Sequence, residues 1–281
     1  MMADDPGRVT DLRRAAVIVL LLALAAAPAT AAAAPWRPDI RDAAAYANGR
    51  HGVIAFAVRT KTRLLGRGLD QQYASASVVK AMLMLAYLRE PDVRGRDLTA
   101  AEQQLLRPMI RRSDNDAATE IRNRVGNDGL VRVARAAGMG SFATAPSWGS
   151  SRITARDQTK LFLRIDALIP ERHRAYGMEL LRTIVPSQRW GMGQAIPGGW
   201  TLYFKGGWGD GDGEVDHQVG LLVRGPHRVS IAVLTATNPD KEYGDATLEG
   251  VTRRLVDGLG PQTHGPAVQV AAGLGTTEGA P

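Results

Sequence analysis

Five short stretches of the chain alternate apolar and polar residues or run apolar between turn residues, and most of the rest follows a helical spacing. "GVIAFAVRT" (52–60) and "RLLGRGL" (63–69) predict two strands joined by a turn around Lys61 to Arg63. "TLYFKG", "HQVGLLV" and "RVSIAVLTA" predict three more strands between Thr201 and Ala236. Asp39 to Asn48 reads as a short helix, and Ala246 to Leu259 as an amphipathic one. Between the two strand groups the pattern is helical. Thr99 and Glu102 have capping-box spacing, Thr154 and Asp157 open "QTKLFLRIDALI", and Pro170 sits where a first helical turn tolerates proline. This order predicts an α/β chain of α+β type. An antiparallel, five-stranded sheet is flanked by the N- and C-terminal helices, with an all-helical lobe inserted at about residues 70–190.

One segment breaks the amphipathic rule. "YASASVVKAMLMLAYLRE", Tyr73 to Glu90, is apolar on every face after its start, so a helix beginning near Ser75 belongs in the interior. Ser77 and Lys80, three apart, would share one face of its first turns. Burial disfavours a lysine's charge, and the neutral amine is the form able to take a proton from a serine hydroxyl. The same pair also fits a serine that caps the helix beside a lysine that snorkels outward.

The ends of the chain change the picture of where it works. Residues 1–34 carry Arg8, Arg13 and Arg14, an apolar run from Ala15 to Ala27 and then small residues, the pattern of a cleaved secretory signal. The adjacent Arg13 and Arg14 leave twin-arginine export open, and an uncleaved anchor is the alternative. The expectation is a secreted protein with no stable membrane anchor after cleavage. One domain over 35–259 is then expected, followed by a disordered tail (260–281) rich in glycine, proline, threonine and alanine. The chain has no cysteine and is long enough to bury a core without disulfides. Its net charge of +7 and pI near 10.0 would suggest nucleic acid in a cytoplasmic protein. Export removes that partner and leaves anionic cell-wall polymers, or a merely solvated basic face.

Two further motifs follow Ser77 and Lys80: "SDN" at Ser113 to Asn115, between helical stretches, and "KGG" at Lys205 to Gly207, at a strand end. In this order the three resemble the motifs of the penicillin-binding proteins and class A β-lactamases, over roughly Pro38 to Leu259. The resemblance implies that Ser77 is the acylated nucleophile and Lys80 its proton acceptor. It implies that Ser113 shuttles a proton to the leaving nitrogen and that Asn115 holds the substrate amide and the lysine. Lys205 would attract the substrate carboxylate and help keep Lys80 neutral. Gly206 and Gly207 would let an extended substrate approach the strand, and the amides of Ser77 and Trp208 match the oxyanion hole. The ligand implied is a β-lactam or a peptidoglycan-derived peptide, with no cofactor and no metal. The first expectation is a secreted β-lactamase-like serine hydrolase forming an acyl-enzyme on Ser77; the alternatives are a D-alanyl carboxypeptidase or transpeptidase, and a non-turnover penicillin-binding sensor or wall-binding protein.

Three features depart from that pattern. Gly206 lacks the hydroxyl usual at the middle of the third motif, so one hydrogen bond to a substrate carboxylate is missing. Ser77 and Ser113 are close in sequence, which implies a trimmed helical lobe. The deacylating glutamate of class A enzymes has no counterpart, since the only carboxylate between Ile121 and Arg156 is Asp128. Elsewhere, "DGDGEVD" (Asp210 to Asp216) spaces acids at alternate positions but lacks a full calcium-loop pattern. No HExxH or GxSxG occurs. His217 reads as a strand-end residue, and Trp148, Trp190 and Trp208 as cleft walls or core.

Overall fold

The computed structural model describes residues 36–210 and 213–260. The expected leader and tail, and Gly211 and Asp212 of the acidic run, lie outside them. Strands β1 (Val53–Arg59), β2 (Leu64–Arg67), β5 (Thr201–Gly209), β6 (Val215–Arg224) and β7 (His227–Ala236) form one antiparallel sheet in the order β2-β1-β7-β6-β5. All five strands expected from the apolar pattern are present. The tight turn at 60–63 closes the first hairpin, with Thr60 N donating to Arg63 O at 2.9 Å. The order leaves β5, the strand bearing Lys205 to Trp208, at an edge with one side unpaired within the sheet.

Helices cover both faces. Successive side chains of a strand point to opposite faces. On β6, Asp216 faces α9 (Lys241–Val256), where a Cβ on Gly244 would come within 1.9 Å of its Oδ2. His217, next along, reaches the opposite side, its Nε2 lying 2.9 Å from Ala74 O. Helix α1 (Ile40–Asn48) packs on α9, and α5 (Ala155–Leu163) packs on β1, β6 and β7. Every residue of α2 (Lys80–Leu88) is buried, which accounts for its lack of a polar face, and it packs against α3 (Ala100–Arg111) and α4 (Asn115–Ala137). A break at Gly126, φ +66°, divides α4. Among the described residues no helix is long and apolar enough to cross a membrane.

The local signals at helix starts acted as their spacing suggested, with some shifts. Thr99 Oγ1 accepts from Glu102 N at 3.2 Å while Glu102 Oε2 accepts from Thr99 N at 2.7 Å, completing the capping box. Thr154 accepts from Asp157 N in the same way. Pro170 stands just outside α7 (Glu171–Arg182), as its cap. The last helix starts at Lys241 rather than Ala246, because the Asp240 carboxylate accepts from Tyr243 N at 2.7 Å and nucleates it earlier. It stops at Val256, where Asp257 turns extended and Gly258 takes φ +69°. A small two-stranded sheet, β3 (Tyr73–Ala74) against β4 (Arg152–Ile153), was not anticipated; two residues are too few to show a period.

Candidate active site

The chain does not enter α2 as one continuous helix from Ser75. Ser75 N donates to Ser151 O at 2.8 Å, extending the β3–β4 pairing, and Ala76 then takes φ +43°. A 3-10 turn, Ala76–Val79, carries Ser77, and the α-helix begins at Lys80. Residues three apart eclipse in a 3-10 turn, so Ser77 and Lys80 are brought onto one line by the tighter winding. The second serine motif lies in a similar backbone. Ser113, between α3 and α4, has φ +60°, and Asp114 caps α4 by accepting from Ala117 N at 2.9 Å. Left-handed backbone at a non-glycine residue costs about 1–3 kcal/mol, and of the three such residues described, Ala76, Ser113 and Thr237, two sit at the motif serines.

That conformation of Ser113 turns its carbonyl and its hydroxyl toward one amine. Lys80 Nζ lies 2.5 Å from Ser113 O, 2.7 Å from Asn115 Oδ1 and 3.3 Å from Ser113 Oγ. From the sheet, Lys205 Nζ donates to Ser113 Oγ at 2.9 Å and to Gly206 O at 2.7 Å. A hydrogen-bonded chain therefore runs Lys205, Ser113, Lys80. Ser77 and Ser113 are 8% exposed, Lys205 1% and Lys80 not at all. Burial pulls the Lys80 pKa down to about 8, against the opposing charge of Asp114. Lys205 is pushed well below the usual lysine value, by burial first and then by the Lys80 charge. Ser113 O and Asn115 Oδ1 can only accept, and a neutral amine has two N–H groups for them. Its lone pair is then left for a hydroxyl.

Gly207 explains why the third motif tolerates no side chain there. A Cβ would stand 2.7 Å from Ser77 N and 2.8 Å from Val78 N, both backbone atoms that cannot swing aside. Gly207→Ala is therefore expected to push β5 off the nucleophile turn. Acylation should slow by about a hundredfold or more, the scale of losing one oxyanion donor. Stability should fall by about 1–3 kcal/mol. Stopped-flow acylation and thermal melting check this; unchanged acylation would show that β5 and the turn are not coupled.

Gly206 faces the other way, and the Trp190 ring packs against that face, 3.4 Å from where a Cβ would stand. Trp190 stacks edge-on with Trp208 at 5.7 Å, so it supports the strand from behind. Trp148 and Trp208 do line the cleft, a cavity of about 260 Å³ that also holds Ser77, Ser113 and Asn115. Its outer wall is the loop Ser147 to Ser150, fastened by Trp148 Nε1 donating to Thr119 Oγ1 at 3.2 Å, with the Trp148 ring 4.8 Å from Lys80 Nζ. That loop contributes no carboxylate. Among the described residues Asp210, at the end of β5, is the one acidic group on the cleft wall. No cluster of three acidic or histidine side chains suited to a metal occurs among the described residues.

The structure brings all eight motif residues, Ser77, Lys80, Ser113, Asn115 and Lys205 to Trp208, to one place. It also adds positioning groups that spacing did not reveal. His217 is no strand-end residue: it is fully buried within β6, opposite Gly207. Its Nδ1 lies 2.9 Å from Asp216 O and 3.1 Å from Thr235 N, and its Nε2 2.9 Å from Ala74 O, so the ring ties the approach to Ser77 to the sheet. Gln218 binds Trp190 O through Nε2 at 2.8 Å and accepts from Met192 N, holding Trp190 behind Gly206. The Ser75 hydroxyl is buried among the carbonyls of Ala76, Trp148 and Gly149 and joins the cleft loop to the nucleophile turn. Only strand alternation could have flagged His217 and Gln218, and it does not say what lies opposite.

Residues 94–259, more than half the chain, match the model of a beta-lactamase enzyme family. The match includes Ser113 and Lys205 and begins after Ser77 and Lys80. Solved structures of similar fold include a beta-lactamase from Sphaerobacter thermophilus, at 22% identity and TM-score 0.69 over 80% of this chain and 99% of that one. A class A beta-lactamase from Mycobacterium abscessus aligns at 18% identity and TM-score 0.66, over 78% and 98%. PBP-A aligns at 18% and 0.65, over 80% and 98%. No curated protein sequence matches the chain significantly.

Proposed function

The chain belongs to the beta-lactamase enzyme family, and from that premise we propose that it is an exported serine acyltransferase that forms a covalent ester on Ser77 with a β-lactam or a cell-wall peptide amide. The observation that carries the reading is the buried chain Lys205–Ser113–Lys80 in the cleft that holds Ser77. In this scheme Ser77 Oγ attacks the amide carbonyl and its proton passes to the neutral Lys80 amine. Ser113 gives its proton to the departing nitrogen as the C–N bond breaks, and takes one from Lys80. The amides of Ser77 and Trp208 would hold the carbonyl oxygen as it gains charge. Burial disfavours charge on Lys205, and a substrate carboxylate would supply the counter-charge that restores it.

The cleft loop favours slow release of the acyl group. Ser147 to Ser150 stand on the cleft wall without any carboxylate, which supports a penicillin-binding or D-alanyl carboxypeptidase role over rapid β-lactam hydrolysis. Intact-mass spectrometry after incubation with benzylpenicillin tests the proposal. A single adduct mapping to the Ser77 peptide is expected. Its absence at millimolar penicillin would overturn the acyl-enzyme and favour a binding role.

The same scheme sets a pH dependence. The reactive form is the neutral amine, whose fraction rises with pH up to the Lys80 pKa of about 8. Acylation by penicillin should therefore quicken about tenfold per unit between pH 6 and 7.5 and level off above 8. A flat profile from pH 6 to 9 would remove Lys80 from the role of base.

A further inference from the structure

Beside α3, sharing no wall residue with the cleft of Ser77 although Arg112 directly precedes Ser113, lies a wider cavity of about 570 Å³, walled by Gln103, Arg107, Pro108, Arg111, Arg112 and Val185 among others. A second hollow, of about 280 Å³, shares Arg107 and Arg111 with it. No acidic residue walls the first cavity. In the second, Glu179 is engaged by both arms of Arg182 at 2.8 Å. Among the described residues Arg107, Arg111 and Arg112 form no ion pair.

Arg107, Arg111 and Arg112 wall this one cavity at a cost. Arg107 and Arg111 are four apart on one helix, the spacing at which like charges repel. Arg111, in the last turn, is favoured by the negative end of the helix dipole, but Arg107 lies a turn earlier. Arg111 is also fixed in place, its Nε donating to Thr183 O at 2.7 Å. The wall opposite is tied to the same helix end by Val185 N donating to Arg111 O and Gln188 Nε2 donating to Arg112 O. This is a basic hollow with a held shape.

We infer that this cavity is a binding site for a phosphate-bearing chain, separate from the acyl-transfer cleft and independent of the acyl-enzyme reading. A carboxylate offers two oxygens in one plane and pairs with one guanidinium fork. A phosphate spreads its oxygens tetrahedrally and can bridge forks that converge from different positions around a cavity. Three arginines around one cavity with no acid on its wall fit the second geometry. A phosphodiester polymer of a cell envelope carries that chemistry, and so does a free oligophosphate.

Inorganic tripolyphosphate is the probe, titrated calorimetrically into the full chain at about 0.05 and 0.15 M salt. One saturable site is expected, weakening with salt. Arg107→Gln combined with Arg112→Gln should weaken it at least about tenfold. The Arg107 side chain hydrogen-bonds Tyr176, so a lone Arg112→Gln, at an exposed position, is held in reserve should the pair melt early. Arg63→Gln with Arg94→Gln removes the same charge from exposed sites elsewhere and should leave affinity within about twofold. Equal weakening by the control pair would show diffuse attraction and overturn the site. So would the lack of saturable binding, or penta-glutamate binding as tightly as tripolyphosphate. With a short phosphodiester oligomer as a second ligand, tight binding marks a polymer site, and binding of tripolyphosphate alone marks a free-oligophosphate site.

Discussion

Ser77→Ala is expected to abolish covalent labelling by a fluorescent penicillin while leaving the fold intact. The hydroxyl lies in the cleft at the start of a buried helix, and loss of one oxygen there disturbs little packing. No neighbour can take its place: Ser75 is turned into the cluster of Ala76, Trp148 and Gly149 carbonyls, and Ser113 is held by Lys205. Lys80→Met, which keeps the volume of the buried stem, should acylate at least about a hundredfold slower, as for loss of a general base. Labelling that survives in folded Ser77→Ala would sink the nucleophile assignment. An unchanged rate in Lys80→Met would sink that of the base.

The second large effect concerns release of the acyl group. Hydrolysis of the ester needs a water activated on its open face. The loop that walls that cleft, Ser147 to Ser150, offers hydroxyls, an indole and backbone only. Lys80 is tied to Ser113 and Asn115, and Asp210 is on the wall at the far end of β5. General-base assistance is worth about a hundredfold to ten-thousandfold, so the acyl-enzyme should outlast that of a competent β-lactamase by that factor. Penicillin should leave a Ser77 adduct that persists for minutes or more, and a chromogenic cephalosporin should give a burst followed by a slow steady state. Turnover at tens per second with no adduct in rapid-quench mass spectrometry would show that another base serves deacylation.

Much of this site was legible before any coordinates. Ser77, Lys80, Ser113 to Asn115 and Lys205 to Trp208 stand in recognisable order, and the settings of the first two motifs at a helix start and a helix junction follow from local pattern, whereas Lys205 to Trp208 lie inside β5, which runs on to Gly209, and not at a strand end. Less legible was what each departure means. The absent hydroxyl at Gly206 reads from sequence as a missing bond, and only the folded protein shows the Trp190 ring packed 3.4 Å from its Cβ site. The single turn of 3-10 helix at Ser77 and the capping by Asp240 depend on geometry finer than a period can carry.

The chain by itself determined the five strands of its main sheet, the helix caps at Thr99 and Thr154, its buried central helix and the order of its three motifs. Each of these rests on residues within a few positions of one another, where backbone geometry alone sets which side chains share a face. Tertiary structure decided the rest. It brought Lys205 within 2.9 Å of Ser113 across 92 residues, pressed Gly207 against the turn of Ser77 and turned His217 toward Ala74. It also lowered the Lys80 pKa, because the loss of water around an amine depends on everything that packs over it, and no local spacing records that.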